Sequence, residues 1–351
     1  MAQLRLIRAV FVALGVAPLL FLATCTSSDD CAAGNPLMPV CIARAQRVLF
    51  LRAWDSTWTR ADLYTMNIDG TDVRRLTTDG MPTQKMTPSY ATWSADGRHV
   101  AWARRADSSM IRSQIFTIDD DGTHLRNVSN QLTAFDWAPD WSPDGTRIVF
   151  QSDRHNPATT TCCVTSLYVM NADGSNVRRL TTGGNDKLPR WSPDGSTIAF
   201  NSDRAGGGQQ LFVMNADGTN IRQRTSVGTS RKAAWSPTGD MIAFEGTRDA
   251  SAGGMGAGIY VISADGSGQM VVSSGAVMDM SPSWSHDGRE IYFCSVRGAS
   301  TKMHIYAAPA SGGAARQLSA NDTEDCCPDT DLPAQRATVG PMRAMATGAN
   351  R

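Results

Sequence analysis

The sequence predicts an all-β fold, a six-bladed β-propeller of four-stranded antiparallel blades. Two alternating motifs and their spacing lead to this prediction. Trp-Ser-Pro-Asp-Gly or a close variant places its tryptophan at positions 93, 141, 191, 235 and 284, at spacings of 48, 50, 44 and 49 residues. Relatives of Leu-Tyr-x-Met-Asn begin at positions 63, 115, 167, 211, 259 and 305. A period of this size is typical of propellers, in which one pair of motifs makes one blade.

Both motifs contain tight turns. In Ser-Pro-Asp-Gly the proline presets φ, the aspartate bonds the local backbone and the glycine adopts positive φ. A β-rich run such as Arg147 to Phe150 follows the first motif, and Asn-Ala-Asp-Gly at 171–174 separates the next two strands. Each repeat therefore predicts strand a, a turn, strand b, a variable loop, strand c, a turn and strand d.

The first repeat begins with strand b at Arg47 and has no preceding motif that would make strand a. Near the other end, Asp325 to Asp329 aligns with Arg190 to Asp194, so we expect a C-terminal inner strand to close the ring. Such closure removes exposed sheet edges. The propeller is then expected at 47–330, followed by a flexible tail at 331–351.

The amino-terminal residues are typical of an export signal. Two arginines precede a short apolar run, Ala9 to Leu22, which falls short of the ~20 residues that a transmembrane helix needs. We expect a signal peptide at 1–24. The run ends in Leu-Ala-Thr-Cys, which resembles the lipobox of bacterial lipoproteins, so Cys25 is the predicted lipidation site, with 25–46 as a polar tether. An ordinary signal peptide cut nearby, or an uncleaved anchor, is the alternative.

Composition limits the partners. Lys plus Arg and Asp plus Glu are balanced at 33 each, and no basic block is present of the kind that follows a phosphate backbone. Nucleic acid is therefore not an expected partner. We expect a monomeric propeller that meets the membrane through its lipid anchor.

Cysteine usage fits export, because disulfides are permitted outside the cytoplasm. The chain has 8 cysteines and no Cys-x-x-Cys pair, which argues against a zinc ribbon or a thioredoxin-like site. Spacing leaves the disulfide pairing open. Cys294 falls in strand b of the last repeat, and we expect it to be a buried free thiol.

Three strings carry a family resemblance: Trp-Ser-Pro-Asp-Gly, Ile-Ala-Phe-x-Ser-Asp-Arg and Leu-Tyr-x-Met-Asn-x-Asp-Gly. They closely resemble the WD40-like propeller repeats of TolB-type proteins over about four fifths of the chain. The resemblance implies the fold and a periplasmic or cell-envelope location. It says less about function, since such propellers serve as partner platforms, as appendages of serine peptidases and as lyases. Because Cys25 and Arg47 are so close, we expect no counterpart of the TolB amino-terminal domain.

The variable b–c and d–a loops share one face, where binding residues tend to lie on a rigid scaffold. Two series of charged residues recur on that face, together with tryptophans of the variable loops as candidate ligand contacts. The candidates are Asp136, Asp186 and Asp279, then Arg154, Arg204, Arg248 and Arg297, then Trp54, Trp58 and Trp137. One hypothesis pairs the acids with the arginines. The other makes the acids a mouth of the central channel that holds a cation or a basic peptide segment.

Binding is expected rather than catalysis. No G-x-S-x-G nucleophile elbow is present, and His155 is the one histidine expected on the variable-loop face, whereas a metal lyase needs several that converge. We therefore name no catalytic residue, no metal ligand and no cofactor beyond a channel cation. The leading hypothesis is a cell-envelope scaffold that binds a protein or a ligand. The alternative is an extracytoplasmic polysaccharide lyase or hydrolase that uses the propeller channel.

The predicted anchor can be tested at Cys25. The Cys25→Ala chain should move from the membrane fraction to the soluble fraction, because it lacks the thiol that accepts the lipid. Ser27→Ala, in the same tether, is the control and should keep the wild-type distribution. A Cys25→Ala chain that stays in the membrane, unprocessed like the wild type, would show that Cys25 is not the anchor.

Overall fold

The computed structural model describes residues 47–53, 60–67, 72–78, 81–82, 91–105, 112–155, 164–247, 258–273, 278–285, 287–297 and 304–318. These residues form β-strands and no helix, so none of them belongs to an apolar helix long enough to cross a membrane. The predicted signal peptide, tether, closing strand and tail lie outside the described residues.

The strands form six four-stranded antiparallel sheets, one for each repeat, as predicted. Blade 1 contains β1 (Arg47–Ala53), β2 (Arg60–Asn67), β3 (Arg74–Arg75) and β4 (Met81–Pro82). Blade 2 contains β5 (Thr92–Trp93), β6 (His99–Arg105), β7 (Ser113–Asp119) and β8 (Arg126–Asn127). Blade 3 contains β9 (Asp136–Trp141), β10 (Arg147–Ser152), β11 (Ser166–Asn171) and β12 (Arg178–Arg179).

The second half of the propeller repeats this order. Blade 4 contains β13 (Lys187–Trp191), β14 (Thr197–Ser202), β15 (Gln210–Asn215) and β16 (Arg222–Gln223). Blade 5 contains β17 (Thr229–Trp235), β18 (Met241–Thr247), β19 (Gly258–Ser263) and β20 (Met270–Ser273). Blade 6 contains β21 (Met278–Trp284), β22 (Glu290–Val296), β23 (His304–Pro309) and β24 (Arg316–Gln317).

Blades 2 to 6 have the predicted strand order a, b, c, d, with each strand bonded to the next. Blade 1 differs, because both β3 and β4 pair with β2 and the described residues provide no inner strand beside β1. This is the blade in which the sequence lacks the first motif. Closure by a C-terminal strand stays a prediction.

The core lies between the blades. Five hydrophobic clusters in the described residues each join two consecutive blades. Alternation along strand b divides its side chains between two of them: Phe150 of β10 packs against blade 2, while Val149 packs against blade 4. The large fully buried side chains facing the preceding blade are Trp102, Phe150, Phe200, Phe244 and Phe293. Smaller residues face the following blade, so each interface joins a bulky surface to a small one.

The repeated tryptophans belong to the same interfaces. Two of them also bond the preceding inner strand. The indole Nε1 of Trp235 donates to the carbonyl of Arg190 at 3.2 Å, and that of Trp284 donates to the carbonyl of Ala234 at 3.0 Å. Neighbouring inner strands are therefore joined by a polar contact as well as by packing.

Glycine in the c–d turn is required by the close approach of two blades. Gly218 has φ +93°, and a Cβ there would lie 2.7 Å from the carbonyl oxygen of Leu180 in the preceding blade. Gly174 meets Val128 in the same way one blade earlier. Positive φ and lack of space thus both select glycine.

Cys294 corrects one expectation. It is buried in β22, as predicted, but it forms a disulfide and is not a free thiol. Its place in strand b is equivalent to that of Gln151 and Glu245, which reach the inner strand of the following blade. A cysteine at this position faces a neighbouring chain segment, and strand periodicity alone does not reveal that.

Substitution of two glycines can measure how much the close approach of neighbouring blades costs when a side chain is added. Gly145 has φ +68° with open space around it, so Gly145→Ala should cost only the left-handed strain of about 1–2 kcal/mol. Gly218→Ala should lower the free energy of unfolding by roughly twice that or more, because the methyl group also meets the Leu180 carbonyl. Urea unfolding of both variants tests this. Equal losses would mean that the blades do not approach closely at Gly218.

Candidate functional site

The candidate site is the face that carries the b–c and d–a connections, called here the loop face; the opposite face is the turn face. Strand a begins and strand b ends at the loop face. Asp136 is the first residue of β9, and Arg154 follows the end of β10 by two residues. The pairing of β9 with β10 therefore brings these two residues together.

Acid and arginine form an ion pair in three blades. Each aspartate side chain is fully buried, whereas the arginine side chains are 14%, 17% and 24% exposed in chain order. The pairs are Asp136 with Arg154 at 2.8 Å, Asp186 with Arg204 at 2.7 Å and Asp279 with Arg297 at 2.9 Å. We call each pair, with the hydroxyls that it bonds, a clasp.

The string Phe-x-Ser-Asp-Arg builds one clasp. Arg204 donates from Nε to Ser202 Oγ at 3.1 Å, and its guanidinium lies 5.3 Å from the ring centroid of Phe200. Asp203 accepts the backbone N–H of Asn185 at 2.9 Å, which fixes the connection entering strand a. Ser202 and Asp203 are therefore functional residues of this motif. They were not among the candidates predicted from the sequence, although the serine and the aspartate recur with the arginine.

The clasp also joins two blades. In blade 6, Asp279 accepts hydrogen bonds from Ser295 at 2.5 Å and from Ser273, at the end of strand d in blade 5, at 2.9 Å. Arg297 donates to the same Ser273 hydroxyl. One buried carboxylate thus holds strand a, strand b and the preceding outer strand.

Blades 1, 2 and 5 depart from this pattern, and in blade 2 the equivalent sequence positions are Pro88 and Ala106. Ser230 replaces the aspartate in blade 5, and its hydroxyl donates to Thr225 at 2.9 Å. In blade 1, Asp62 in strand c is fully buried, pairs with Arg75 at 2.6 Å and accepts from Thr77 at 2.9 Å. Both residues lie outside the repeated motifs. The one sequence feature that could have predicted the pair is an acidic residue in the otherwise apolar strand c.

Burial sets the electrostatics of the first clasp. It raises the pKa of the Asp136 carboxyl, because the loss of solvation outweighs the attraction of Arg154. An acidic channel mouth needs carboxylates that face solvent, and the three clasp aspartates are fully buried. Any contribution that they make to binding therefore acts through the loops they hold.

Trp137 was predicted in a variable loop, but it lies in β9, stacked on Phe135 with ring centroids 5.4 Å apart. The strand reaches that far because a bulge with positive φ at Ala138 lets it pair with β10 on both sides. Trp54, Trp58, Arg248 and Cys25 lie outside the described residues.

No group of three or more His, Cys, Asp or Glu side chains in the described ranges is placed to hold a metal ion. His155 is half-buried on the loop face, and burial lowers the pKa of its imidazole. The geometry in the described part of the chain is that of a braced platform.

Comparison with known proteins connects this platform to one family. The family model described as "TolB beta propeller domain" matches residues 45–255. The Tol-Pal system protein TolB of Anaeromyxobacter dehalogenans (strain 2CP-C) is 30% identical over 138 residues, which are 39% of this chain and 27% of that protein. The chain thus spans about a quarter of this relative's length.

Two solved structures show the same fold. TolB from Acinetobacter baumannii matches with a TM-score of 0.58 at 19% identity, covering 77% of this chain and 65% of that one. Oligogalacturonate lyase from Vibrio parahaemolyticus matches with a TM-score of 0.58 at 14% identity, covering 82% and 77%. At these identities the likeness concerns the fold alone.

The clasp can be tested in blade 6. Asp279→Asn should lower the free energy of unfolding by roughly 2–4 kcal/mol, because Arg297 and two serines lose a buried anionic partner. Asp72→Asn, in an exposed pair with Arg74, is the matched control and should leave the unfolding midpoint unchanged. If both variants unfold like the wild type, the clasp does not brace the blade.

Proposed function

The chain belongs to the family of TolB β-propeller domains, and from this premise we propose that it is an exported lipoprotein whose propeller is a binding scaffold in the cell envelope. In this proposal the lipid on Cys25 holds it at the membrane, and an envelope protein binds the loop face. The signal-like start supports export, and the name of its Tol-Pal relative supports an envelope setting.

The observation that carries the proposal is the bracing of the loop face. Three clasps fix the start of strand a and the end of strand b, which are the points where the variable connections leave the blades. A connection held at its base loses less conformational entropy on binding than a free one. A rigid rim that supports variable loops is the arrangement found in many binding scaffolds.

Exposed apolar side chains lie beside this rim. Leu132 and Val227, in two d–a connections, are 67% and 54% exposed, and Val164, just before β11, is 45% exposed. Isolated apolar residues are common on protein surfaces, so their number alone decides little. Their position on the braced face makes them suitable first contacts for a protein partner.

The proposal predicts that substitutions on the loop face weaken partner binding and that matched substitutions near the turn face do not. Leu132→Asp with Val227→Asp should abolish recovery of the main envelope partners in affinity capture with quantitative mass spectrometry, because a partner would have to desolvate two new charges. The matched control is Leu125→Asp with Val177→Asp, two exposed apolar residues near the turn face that are 45% and 39% exposed.

The control variant should recover the wild-type partners. Both variants should show the wild-type unfolding midpoint, since all four side chains are exposed. Equal recovery by the two variants, or equal loss from both, would contradict binding through the loop face.

A further inference from the structure

Cys294 is disulfide-bonded, and it is the one cysteine among the described residues, so the cysteine that it bonds lies outside them. We infer that this cysteine is one of the adjacent Cys326 and Cys327, and that the disulfide joins blade 6 to the segment predicted to complete blade 1. Such a bond is separate from partner binding, and the cysteine spacing left it open. The cysteines that are then not bonded to Cys294 are Cys25, Cys31, Cys41, Cys162 and Cys163.

The side chain that follows the large strand-b aromatic reaches the next blade. In blades 3, 4 and 5 it bonds the backbone of the inner strand of the following blade. The contacts are Gln151 Oε1 with the Leu188 N–H at 2.9 Å, Asn201 Nδ2 with the Ser230 carbonyl at 2.9 Å and Glu245 Oε2 with the Ser281 N–H at 3.1 Å. Cys294 follows Phe293 in the same way and is buried. Its sulfur therefore faces the inner strand of the blade that follows blade 6, which in a ring is blade 1.

The junction of blades 6 and 1, called here the seam, is where the two ends of the repeat array meet. The described residues provide no inner strand for blade 1. In the sequence, Asp325 to Asp329 aligns with Arg190 to Asp194 and includes both Cys326 and Cys327. The segment that Cys294 faces is therefore the one that carries these two cysteines.

The other cysteines fit this place less well. Cys162 and Cys163 belong to the b–c connection of blade 3, which is opposite blade 6 in a ring of six blades. Cys31 and Cys41 are followed by no Pro-Asp turn of the kind that ends an inner strand, whereas Pro-Asp follows Cys327 directly.

Side-chain volume at the seam supports the same segment. In four blades the residue before the strand-b aromatic is small and lies in one cluster with the motif tryptophan of the following blade. These residues are Ala101, Val149, Ala199 and Ala243. Blade 6 has Tyr292 at this place, and Cys326 takes the place of the tryptophan in the aligned segment. A large residue opposite a small one conserves the volume of the interface.

The disulfide also lies beside a clasp. Cys294 precedes Ser295, whose hydroxyl donates to Asp279 at 2.5 Å in the clasp of blade 6. Blade 1 lacks the Ser-Asp-Arg string after its strand-b aromatic, Phe50, and Asn321 stands five residues before Cys326 where a clasp aspartate would be. At the seam a covalent bond thus takes the place of the ion pair.

Formation of this bond is an oxidation. The two thiols lose two protons and two electrons as the sulfurs join, and the oxidant is the disulfide of an exchange partner, which leaves as two thiols. An oxidising compartment supplies such a partner, so this step rests on the proposed export.

The test is tryptic digestion of the exported full chain with free thiols blocked and no reductant, followed by mass spectrometry. Cleavage after lysine and arginine puts Cys294 in the peptide 290–297 and both Cys326 and Cys327 in 317–336. These two peptides should be recovered as one disulfide-linked species that separates on reduction. Peptide 290–297 linked to 155–178, which holds Cys162 and Cys163, would overturn the inference. So would its linkage to 9–44, or its recovery with a blocked thiol.

Variants measure what the bond contributes. Cys294→Ser, and Cys326→Ser with Cys327→Ser, should each lower the thermal unfolding midpoint by roughly 5–10 °C, because the unfolded chain gains the freedom that the disulfide removes. Cys162→Ser with Cys163→Ser is the matched control and should keep the wild-type midpoint. A wild-type midpoint for the Cys326 and Cys327 double variant would contradict the bond. None of these outcomes bears on capture of an envelope protein through Leu132 and Val227, so the two proposals fail separately.

Discussion

The fold depends on one constraint: a four-stranded blade has two faces and can bury them only against other blades. Side chains along strand b point alternately to the two neighbouring blades. A large aromatic residue packs against the preceding blade and a small residue against the following one, as Phe200 and Ala199 do. Packing at interior density then brings the backbones close together. The requirement for Gly218, with the Leu180 carbonyl against it, is a direct consequence. The bonds from Trp235 and Trp284 to the inner strand before them are another.

Close packing also determines the polar chemistry of the loop face. Strand ends that converge there lose solvent, and a buried carboxylate is costly unless every lone pair is bonded. Asp279 meets this demand with one guanidinium and two hydroxyls drawn from two blades. Such a pair need not add much net stability, since desolvation offsets its attraction. Its main contribution is to hold the strand ends in place, because the three partners fix where the variable connections begin.

The repeats made the fold predictable, because every turn in them carries residues with a steric reason to be there. The sequence predicted where the charged residues of the loop face stand in each repeat, but it did not predict which side chains they contact. Whether an aspartate faces solvent or an arginine depends on how far strand a extends. That extent is set by a bulge with positive φ at Ala138, Leu188, Lys232 and Ser281. None of these is a glycine, so the sequence carried no mark of the bulge, and Trp137 was predicted in a loop for that reason.

The same pairing bears on the hypothesis that the rim acids form an acidic mouth of the channel. The recurrent rim series has three aspartates and four arginines, and in three blades the aspartate is buried against its arginine, which leaves each pair close to neutral. The charge that this face presents to solvent is then decided by residues that do not recur. An aspartate series that reads in the sequence as a possible binding surface is thus used by the fold to hold its own strand ends.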